Sequence, residues 1–409
     1  MATSKLLIKT TLSSMLLVAT QANADFSHQH AGDYTQVLLP LTGLGVSLAK
    51  GDTEGTWQLT RSFVTSTVIS QSIKYVAAKQ RPNFAARTSF PSGHTTAAFS
   101  GASFLHTRYG STWGVPAYAV AAYTGWSRVY SDKHYWDDVI GGASIAVLTN
   151  LFFVNPIAED ITVSPMINGD SKGLKFSFSN RFFEGGSRAK APDTRFNPKF
   201  KFDFYMGPSQ LKSSDSISYD NHDHLEVDDR ITTAAVRWTY ALDSRNDFSF
   251  FTQPFEIRSQ GKAASGQEQY AQYQVWDNIL NWSYDLAPNN AWIARAGAGL
   301  MLQYAKTAIS DAAHFENFNT VGEEWLFYPM LNANIGYQFD PKWAAVLAAE
   351  YGNNGDGNVI SANATVNYLF NKRWDAALGY SYYQRDQDNV KTLRRIEFDS
   401  IFLRVGYKF

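Results

Sequence analysis

Three short groups of residues in the first half of the chain carry side chains suited to phosphate chemistry. They supply cations, imidazoles, a carboxylate and a helix-starting serine and glycine: Lys74 with Arg81-Pro82, then Pro91-Ser92-Gly93-His94, then Ser127-Arg128 followed by His134 and Asp138. Cationic side chains neutralise a phosphate and the extra charge that its oxygens gain in a transition state. An imidazole can attack phosphorus or transfer a proton. Each group alone is common, but all three in order indicate phosphoryl transfer.

The first two groups have spacings that suit an anion site. Lys74 and Arg81 are seven positions apart, almost two turns of a helix, so we expect them on one helical face, with Pro82 ending that helix. Ser92 is placed to cap the start of the next helix, and Gly93 lets a ligand approach the backbone. The free N–H groups at such a helix start can hold a phosphate.

The third group supplies a nucleophile and its support. His134 and Asp138 are four positions apart, so we expect them stacked on one helical face, where the carboxylate holds the imidazole. His134 would then be a nitrogen nucleophile, and His94 would protonate the leaving oxygen and later activate water. Arg128 adds a third cation for the phosphate. This chemistry requires no metal ion and no cofactor.

These residues together resemble the complete signature of the type 2 phosphatidic acid phosphatase (PAP2) superfamily, which includes bacterial acid phosphatases, lipid phosphate phosphatases and vanadium haloperoxidases. The resemblance extends from about Leu59 to Val154. It implies a helical core and hydrolysis through a phosphohistidine. It also assigns roles: His134 as nucleophile, Asp138 as its partner, His94 as acid and base, and Lys74, Arg81, Ser92, Gly93 and Arg128 as phosphate-binding residues. The link from Pro82 to Pro91 is short for the family, which leaves substrate enclosure, and hence substrate identity, open.

Helical patterns predict the elements that position these residues. Mixed apolar and small residues without strand alternation cover Leu59–Gln80, His94–Tyr109, Gly114–Trp126 and Trp136–Val154. Asn155-Pro156 closes the last of them. We therefore expect a helical PAP2-like domain at residues 25–156. Residues 1–24 have the basic start, short apolar stretch and Ala22-Asn23-Ala24 ending of a secretory signal.

The pattern after Pro156 is that of an antiparallel transmembrane β-barrel at residues 157–409. Segments of about ten residues alternate apolar and polar positions, as the strands of such barrels do. In the last segment, Ile401, Leu403, Val405 and Tyr407 share one face, Phe402, Arg404, Gly406 and Lys408 share the other, and the chain ends on Phe409. The fold class is therefore α + β in two domains, an all-α bundle followed by a barrel.

Connections between these segments alternate in length. Short turns are predicted at Asp243–Asn246, Ala287–Asn290, Asp340–Lys342 and Asn371–Arg373, with longer links between them, as periplasmic turns and extracellular loops require. Eleven segments are clear, the first at Lys172–Glu184. A periplasmic N-terminal domain needs an even number, so Ile161–Ile167 is added, joined through Asn168-Gly169. The prediction is a barrel of about twelve strands.

Composition limits the other partners. The net charge is −1 and the sequence pI is about 6.7, so nucleic acid is not expected. The chain has no cysteine, which excludes disulfides and thiolate metal sites. Histidines and acidic residues cluster between Asp220 and Asp229, and a solvated loop is favoured there over a metal site.

The sequence thus predicts a metal-independent phosphatase for phosphomonoesters, with a lipid phosphate as the favoured substrate, in the cell outer membrane. Its phosphatase domain is expected in the periplasm near the barrel mouth, and its partners are outer-membrane lipid and the barrel assembly machinery. A homo-oligomer is left open. Two alternatives remain, a vanadium-dependent haloperoxidase-like enzyme using the same anion site, and a channel or transporter with the helices as a plug.

Overall fold

The computed structural model describes residues 27–156, 161–168, 171–178, 199–214, 226–227, 230–262, 266, 268–288, 291–310 and 318–409. The secretory signal expected at residues 1–24 lies outside these ranges. So does most of the acidic stretch from Asp220 to Asp229, of which only residues 226–227 are described. Among the described residues, no cluster of three or more His, Cys, Asp or Glu side chains could hold a metal ion.

Five helices form a bundle between residues 28 and 153. They are α1 (His28–Ala49), α2 (Thr53–Ala77), α3 (Gly93–Tyr109), α4 (Ser111–Tyr130) and α5 (Trp136–Phe153). Asp52 caps α2 by accepting a hydrogen bond from the Gly55 N–H at 2.9 Å. No helix in the described part of the chain combines the length and apolar character needed to cross a membrane.

Small residues let the helices approach closely where the site is built. A Cβ at Gly142 on α5 would lie 2.5 Å from the Ser92 carbonyl oxygen, and one at Gly101 on α3 would lie 2.4 Å from the Leu39 carbonyl carbon. Only glycine fits such contacts. The first turns of α5 are therefore held directly beside the N-terminus of α3, which brings the second and third sequence groups together.

Strands make up the rest of the described chain. They are β1 (Ile161–Asn168), β2 (Ser171–Phe178), β3 (Phe200–Ser214), β4 (Glu226–Val227), β5 (Arg230–Ala241), β6 (Asn246–Lys262), β7 (Glu268–Asp285), β8 (Trp292–Ser310), β9 (Asn319–Asp340), β10 (Trp343–Asn353), β11 (Gly357–Leu369), β12 (Trp374–Gln387) and β13 (Arg395–Lys408). Ten of them, β3 and β5–β13, form an antiparallel barrel that closes where β13 pairs with β3. The two-residue β4 adds to β6.

The barrel therefore has ten strands, and the prediction of twelve was wrong. The two extra segments, β1 and β2, form a separate hairpin in which Asn168 pairs with Ser171. Their alternation predicts a strand but does not say which sheet the strand joins, because any two-stranded ribbon has the same period of two. The even number of barrel strands remains.

The connections define two ends of the barrel, but they do not alternate in length as strictly as predicted, because the link at 354–356 has three residues and the turn at 286–291 has six. The short-turn end holds the connections at 242–245, 286–291, 341–342 and 370–373, together with the start of β3 and the end of β13. The long-loop end holds the others. The predicted faces of β13 are confirmed: Ile401 is 58% exposed on the outside, whereas Phe402 is 8% exposed on the inside.

The helical bundle lies along the outer wall of the barrel. Phe90, Ile145 and Leu148 form one buried cluster with outward side chains of β3 and β5, namely Phe204 and Val236. Their strand neighbours point the other way, since Asp203, Tyr205 and Arg237 line the barrel lumen. The expectation that the bundle sits at the barrel mouth was therefore wrong. Composition could not predict this contact, because an apolar outward face suits lipid and a helix equally.

Candidate active site

The start of α3 provides an open anion cradle. Ser92 caps the helix as predicted: its Oγ accepts hydrogen bonds from the Thr95 N–H at 3.4 Å and the Thr95 hydroxyl at 2.9 Å. A Cβ at Gly93 would meet nothing closer than Gln71 Nε2, at 3.9 Å. A ligand can therefore approach the free N–H groups and the positive end of the helix dipole at this point.

Two cations reach this cradle, Lys74 from the last turn of α2 and Arg81 from the α2–α3 link. Lys74 is buried, and its Nζ donates to the carbonyl oxygens of Thr88 at 2.8 Å and Pro91 at 2.7 Å. Burial lowers the pKa of Lys74 to about 8, with nearby Asp138 opposing and Arg81 adding to the effect. Neither cation has a carboxylate within ion-pair distance among the residues described, and Arg81 Nε is buried without a hydrogen-bond partner.

The prediction that Lys74 and Arg81 share a helical face was wrong. Helix α2 ends at Ala77, because Ala78 adopts a left-handed conformation at φ 44° and returns its N–H to the Lys74 carbonyl. Arg81 therefore lies beyond the helix. Both cations still converge on one point, since each lowers the pKa of the His134 imidazole.

His134 precedes α5 and does not lie on it, so the predicted stacking on one helical face was also wrong. The carboxylate of Asp138, in the first turn of α5, reaches back instead. Its Oδ2 accepts the Tyr135 N–H at 2.8 Å and the Ser89 hydroxyl, and lies 3.5 Å from His134 Nδ1. That last distance is an ion-pair contact longer than a good hydrogen bond, and catalytic contacts of this kind often tighten when ligand binds.

The protonation states suit a nucleophile. Burial lowers the pKa of His134, and Lys74 and Arg81 lower it further, while Asp138 opposes them. The imidazole is thus neutral at pH 7. Burial alone would raise the pKa of Asp138, but the Lys79 ammonium, the His134 ring and Ser89 outweigh it and lower that pKa below its usual range. An ionised Asp138 favours a proton on Nδ1 and leaves a lone pair on Nε2.

Lys79 and Asp137 support this pair and were not identified from the sequence. The Lys79 Nζ lies 2.5 Å from Asp137 Oδ2 and 3.0 Å from Asp138 Oδ1, with all three side chains buried. Burial raises the pKa of Asp137 to about 7, and Asp138 also raises it, against the effect of Lys79. One ammonium thus serves two adjacent carboxylates. The only available signal was their adjacency beside the predicted nucleophile.

Asp33 on α1 contacts the two remaining predicted site residues, His94 and Arg128. Its Oδ1 lies 2.9 Å from His94 Nε2 and accepts a hydrogen bond from Arg128 Nη1 at 2.6 Å. Burial, Arg128 and His134 together lower the pKa of His94 to about 4, against the effect of Asp33. Asp33 was missed because a single carboxylate about 60 positions away has no spacing signal.

A barrel strand holds the rim of the site. Arg258 on β6 donates from Nη2 to Asp132 Oδ1 at 2.9 Å and from Nη1 to the Pro82 carbonyl at 3.2 Å. Its Nε donates to Glu256 at 2.8 Å. Pro82 follows Arg81, and Asp132 stands two residues before His134. The barrel therefore ties together the two loops that carry a phosphate-binding cation and the nucleophile.

Comparisons with known proteins match the part of the chain that contains most of these site residues. The model of the PAP2 superfamily matches residues 55–159. The lipid A 1-phosphatase of Porphyromonas gingivalis is 32% identical over 152 residues, which cover 31% of this chain and 34% of that protein. The chain thus spans about a third of the length of this curated relative.

Solved structures resemble the two halves separately. Aquifex aeolicus LpxE covers 34% of this chain and 92% of its own, with 22% identity and a TM-score of 0.28. Neisserial surface protein A covers 52% of this chain and 97% of its own, with 15% identity and a TM-score of 0.24. Residues 55–159 match the PAP2 superfamily, and the chain also contains a closed ten-strand antiparallel β-barrel.

Proposed function

We propose that this protein is an outer-membrane phosphatase that hydrolyses phosphomonoesters, with lipid phosphates favoured, through a phosphohistidine. One observation carries the proposal: a buried, neutral His134 is held by an ionised Asp138 and faces two cations without ion-pair partners among the described residues. Burying such cations is costly unless an anion completes the site. A phosphate group is the anion that also gives the imidazole a target.

In the first step, phosphate binds at the start of α3 among Lys74, Arg81 and Arg128. The lone pair on His134 Nε2 attacks phosphorus, and the bond from phosphorus to the ester oxygen breaks. His94, protonated once the bound anion has raised its pKa, gives its proton to the leaving oxygen. The product alcohol departs, and Asp138 stabilises the positive charge on the phosphorylated imidazole.

In the second step, water completes the hydrolysis. Neutral His94 takes a proton from a water molecule, whose oxygen attacks phosphorus as the bond to His134 Nε2 breaks. Inorganic phosphate leaves and His134 is again a free imidazole. The three cations stabilise the charge on the equatorial oxygens in both steps.

A lipid substrate is supported by the setting of the site. The bundle lies against the outward face of a barrel whose side chains suit a bilayer, and the curated relative is named for a lipid phosphatase activity. The periplasmic placement of the domain stays a prediction.

A channel is the less favoured function, because the barrel lumen is blocked by its own side chains. Inward residues of the long-loop half form an apolar cluster in which the rings of Phe255, Phe398 and Tyr383 stack at 5.2 and 4.7 Å. Below it, a cavity of about 470 Å³ is crossed by Arg237 and Glu350, 3.6 Å apart on opposite walls. Solute passage would have to disrupt both features.

The decisive experiment is phosphate release from a panel of lipid and soluble phosphomonoesters by protein in detergent. We expect His134→Ala to lower the turnover by at least about 10³-fold, since the loss of a covalent nucleophile removes the main route. The exposed His30 offers a matched control, and His30→Ala should keep wild-type rates. Turnover that survives His134→Ala with an intact barrel, judged by heat-modifiable migration, would refute the mechanism. Strict dependence on a metal, tested with EDTA, would also contradict it.

A further inference from the structure

Helix α5 runs along the barrel wall from one aromatic level to another. Near its end, Phe152 contacts Trp374 at the short-turn end, with ring centroids 6.1 Å apart. At its start, Trp136 contacts Trp276 on β7, with centroids 5.6 Å apart. Eighteen helical residues span about 27 Å, close to the roughly 25 Å height of the apolar band on such barrels. The helix thus matches the band in length and position.

The site lies at the long-loop edge of that band. Outward residues on β6 are Phe248 and Phe250 near the short-turn end, whereas Glu256 and Arg258 follow towards the long loops. This change from apolar to charged marks the edge of the band. Arg258 holds the loops of the site, and Phe84 in the α2–α3 link contacts Tyr270, two residues from the long-loop start of β7.

Charged side chains of the bundle cluster at its two ends, along the same axis as α5. Asp33, His94, Arg128 and the rest of the site occupy one end, while Arg108 pairs with Asp52 at 2.6 Å at the other. Between them, residues 34–49 of α1 and 111–127 of α4 carry no charged side chain. Large apolar side chains are exposed along this middle zone, on α1 and α2: Val37, Leu41, Leu48, Trp57, Val64 and Val68. Arg61 on α2 is an exposed charge within this zone, and a long arginine side chain can extend its charge towards the headgroups while its stem stays in an apolar layer.

This exposed apolar zone matches the hydrocarbon of the bilayer that surrounds the barrel. An apolar surface of this extent facing water is unusual in a soluble domain. It is continuous with the barrel's apolar face, because the bundle is docked on that face through Phe204 and Val236. The lipid that covers the barrel therefore also covers this zone of the bundle, which rests on the barrel wall; none of the described helices could cross a membrane by itself.

We infer that the phosphatase site opens on the outer surface of the outer membrane, where it acts on a phosphomonoester carried by a lipid of the outer leaflet. Long loops of such barrels are extracellular, so the long-loop edge of the band is the outer headgroup level. Three cations at this level meet a lipid phosphate whose acyl chains remain in the membrane. The inference rests on the proposed phosphatase function and replaces the periplasmic placement.

Cysteine labelling of whole cells tests the orientation, because the chain has no cysteine of its own. Single substitutions are made at exposed positions: Ala85→Cys beside the site, Thr53→Cys at the opposite end of the bundle, Asp356→Cys at the long-loop end of the barrel and Lys372→Cys at the short-turn end. The reagent is a maleimide on a polymer too large to cross the outer membrane. We expect Ala85→Cys to label fully, as Asp356→Cys does, with no labelling of the other two until cells are permeabilised. Labelling of Ala85→Cys only after permeabilisation would overturn the inference.

A second measurement tests the substrate side. Lysophosphatidic acid is added to the outside of right-side-out outer-membrane vesicles, and phosphate release is followed. Wild-type vesicles should release phosphate as rapidly as detergent-opened ones, and His134→Ala vesicles should not. Release only after opening would place the site on the inner face. Activity in detergent with p-nitrophenyl phosphate is measured in parallel, so a failure of orientation is distinguished from a failure of the phosphatase function.

Discussion

Buried charges occur in two regions of this protein, and they are arranged differently. In the barrel lumen, Arg404 is 7% exposed, and its two terminal nitrogens each lie 2.5 Å from a carboxylate, those of Asp203 and Asp375. In the helical bundle, Lys74 is 9% exposed, and among the residues that the structure describes it bonds only to carbonyl oxygens, while Arg81 Nε finds no hydrogen-bond partner there.

The difference separates a structural role from a functional one. A buried cation with its carboxylates in place is complete, and removing it leaves uncompensated charge behind. A buried cation without a carboxylate is costly in the free protein, and the cost is recovered when an anion binds. Charge pairing alone does not identify the site, because Arg385 in the lumen is also buried and bonds to Gln303 and the Leu393 carbonyl instead of a carboxylate. What distinguishes Lys74 and Arg81 is that they lie beside the His134 imidazole and an open helix N-terminus.

The largest effect on stability is expected in the lumen. Arg404→Met would leave Asp203 and Asp375 with Lys201 as their remaining cation, 2.8 and 3.2 Å away, so the free energy of unfolding should fall by about 3 kcal/mol, the low end for breaking a buried ion pair. Urea titration of the refolded barrel in detergent measures it. Arg394→Met is the matched control, because its pairs with Asp386 and Asp388 are at the surface and should matter by less than about 1 kcal/mol. Equal losses in both variants would contradict the comparison.

In the bundle, removing a cation is expected to lower activity and to leave stability unchanged. Arg81→Met should lower kcat/KM for p-nitrophenyl phosphate by about 10²–10³-fold, because a cation aimed at the transition state is removed. The urea midpoint should stay at the wild-type value, since no carboxylate loses a partner. Arg61→Met, at an exposed position on α2, should change neither quantity. A destabilised Arg81→Met with normal turnover would assign Arg81 a structural role.

Local patterns predicted the features that depend on neighbouring residues. The Ser92 cap, the alternation along β13 and the short turns follow from hydrogen bonding and side-chain direction within a few positions. The composition of the cation and imidazole set was visible for the same reason, since each group is short. These predictions agree with the structure because no distant contact competes with them.

Features that depend on tertiary contacts were either not predicted or predicted incorrectly. Nothing local ends α2 at Ala77, because alanine is a good helix former and the left-handed Ala78 is held by its surroundings. Asp33 and Arg258 meet the site from 61 and 126 positions away, as their partners His94 and Asp132 show. The docking of the bundle on the barrel wall could not be predicted either, because the apolar surface of each partner is equally compatible with other neighbours.

The smallest expected effect sharpens the role of Asp33. Its carboxylate raises the pKa of His94 against burial and Arg128, so Asp33→Asn should lower that pKa. His94 donates its proton in the first step and is active below its pKa. The alkaline limb of the kcat/KM profile should therefore move to lower pH, by about one unit, which is about a tenfold loss of activity on that limb. A full pH profile measures this shift. Asp33→Glu, which keeps the carboxylate, should restore most of it, whereas an equal loss in both variants with an unmoved profile would mean that Asp33 acts only through the packing of α1.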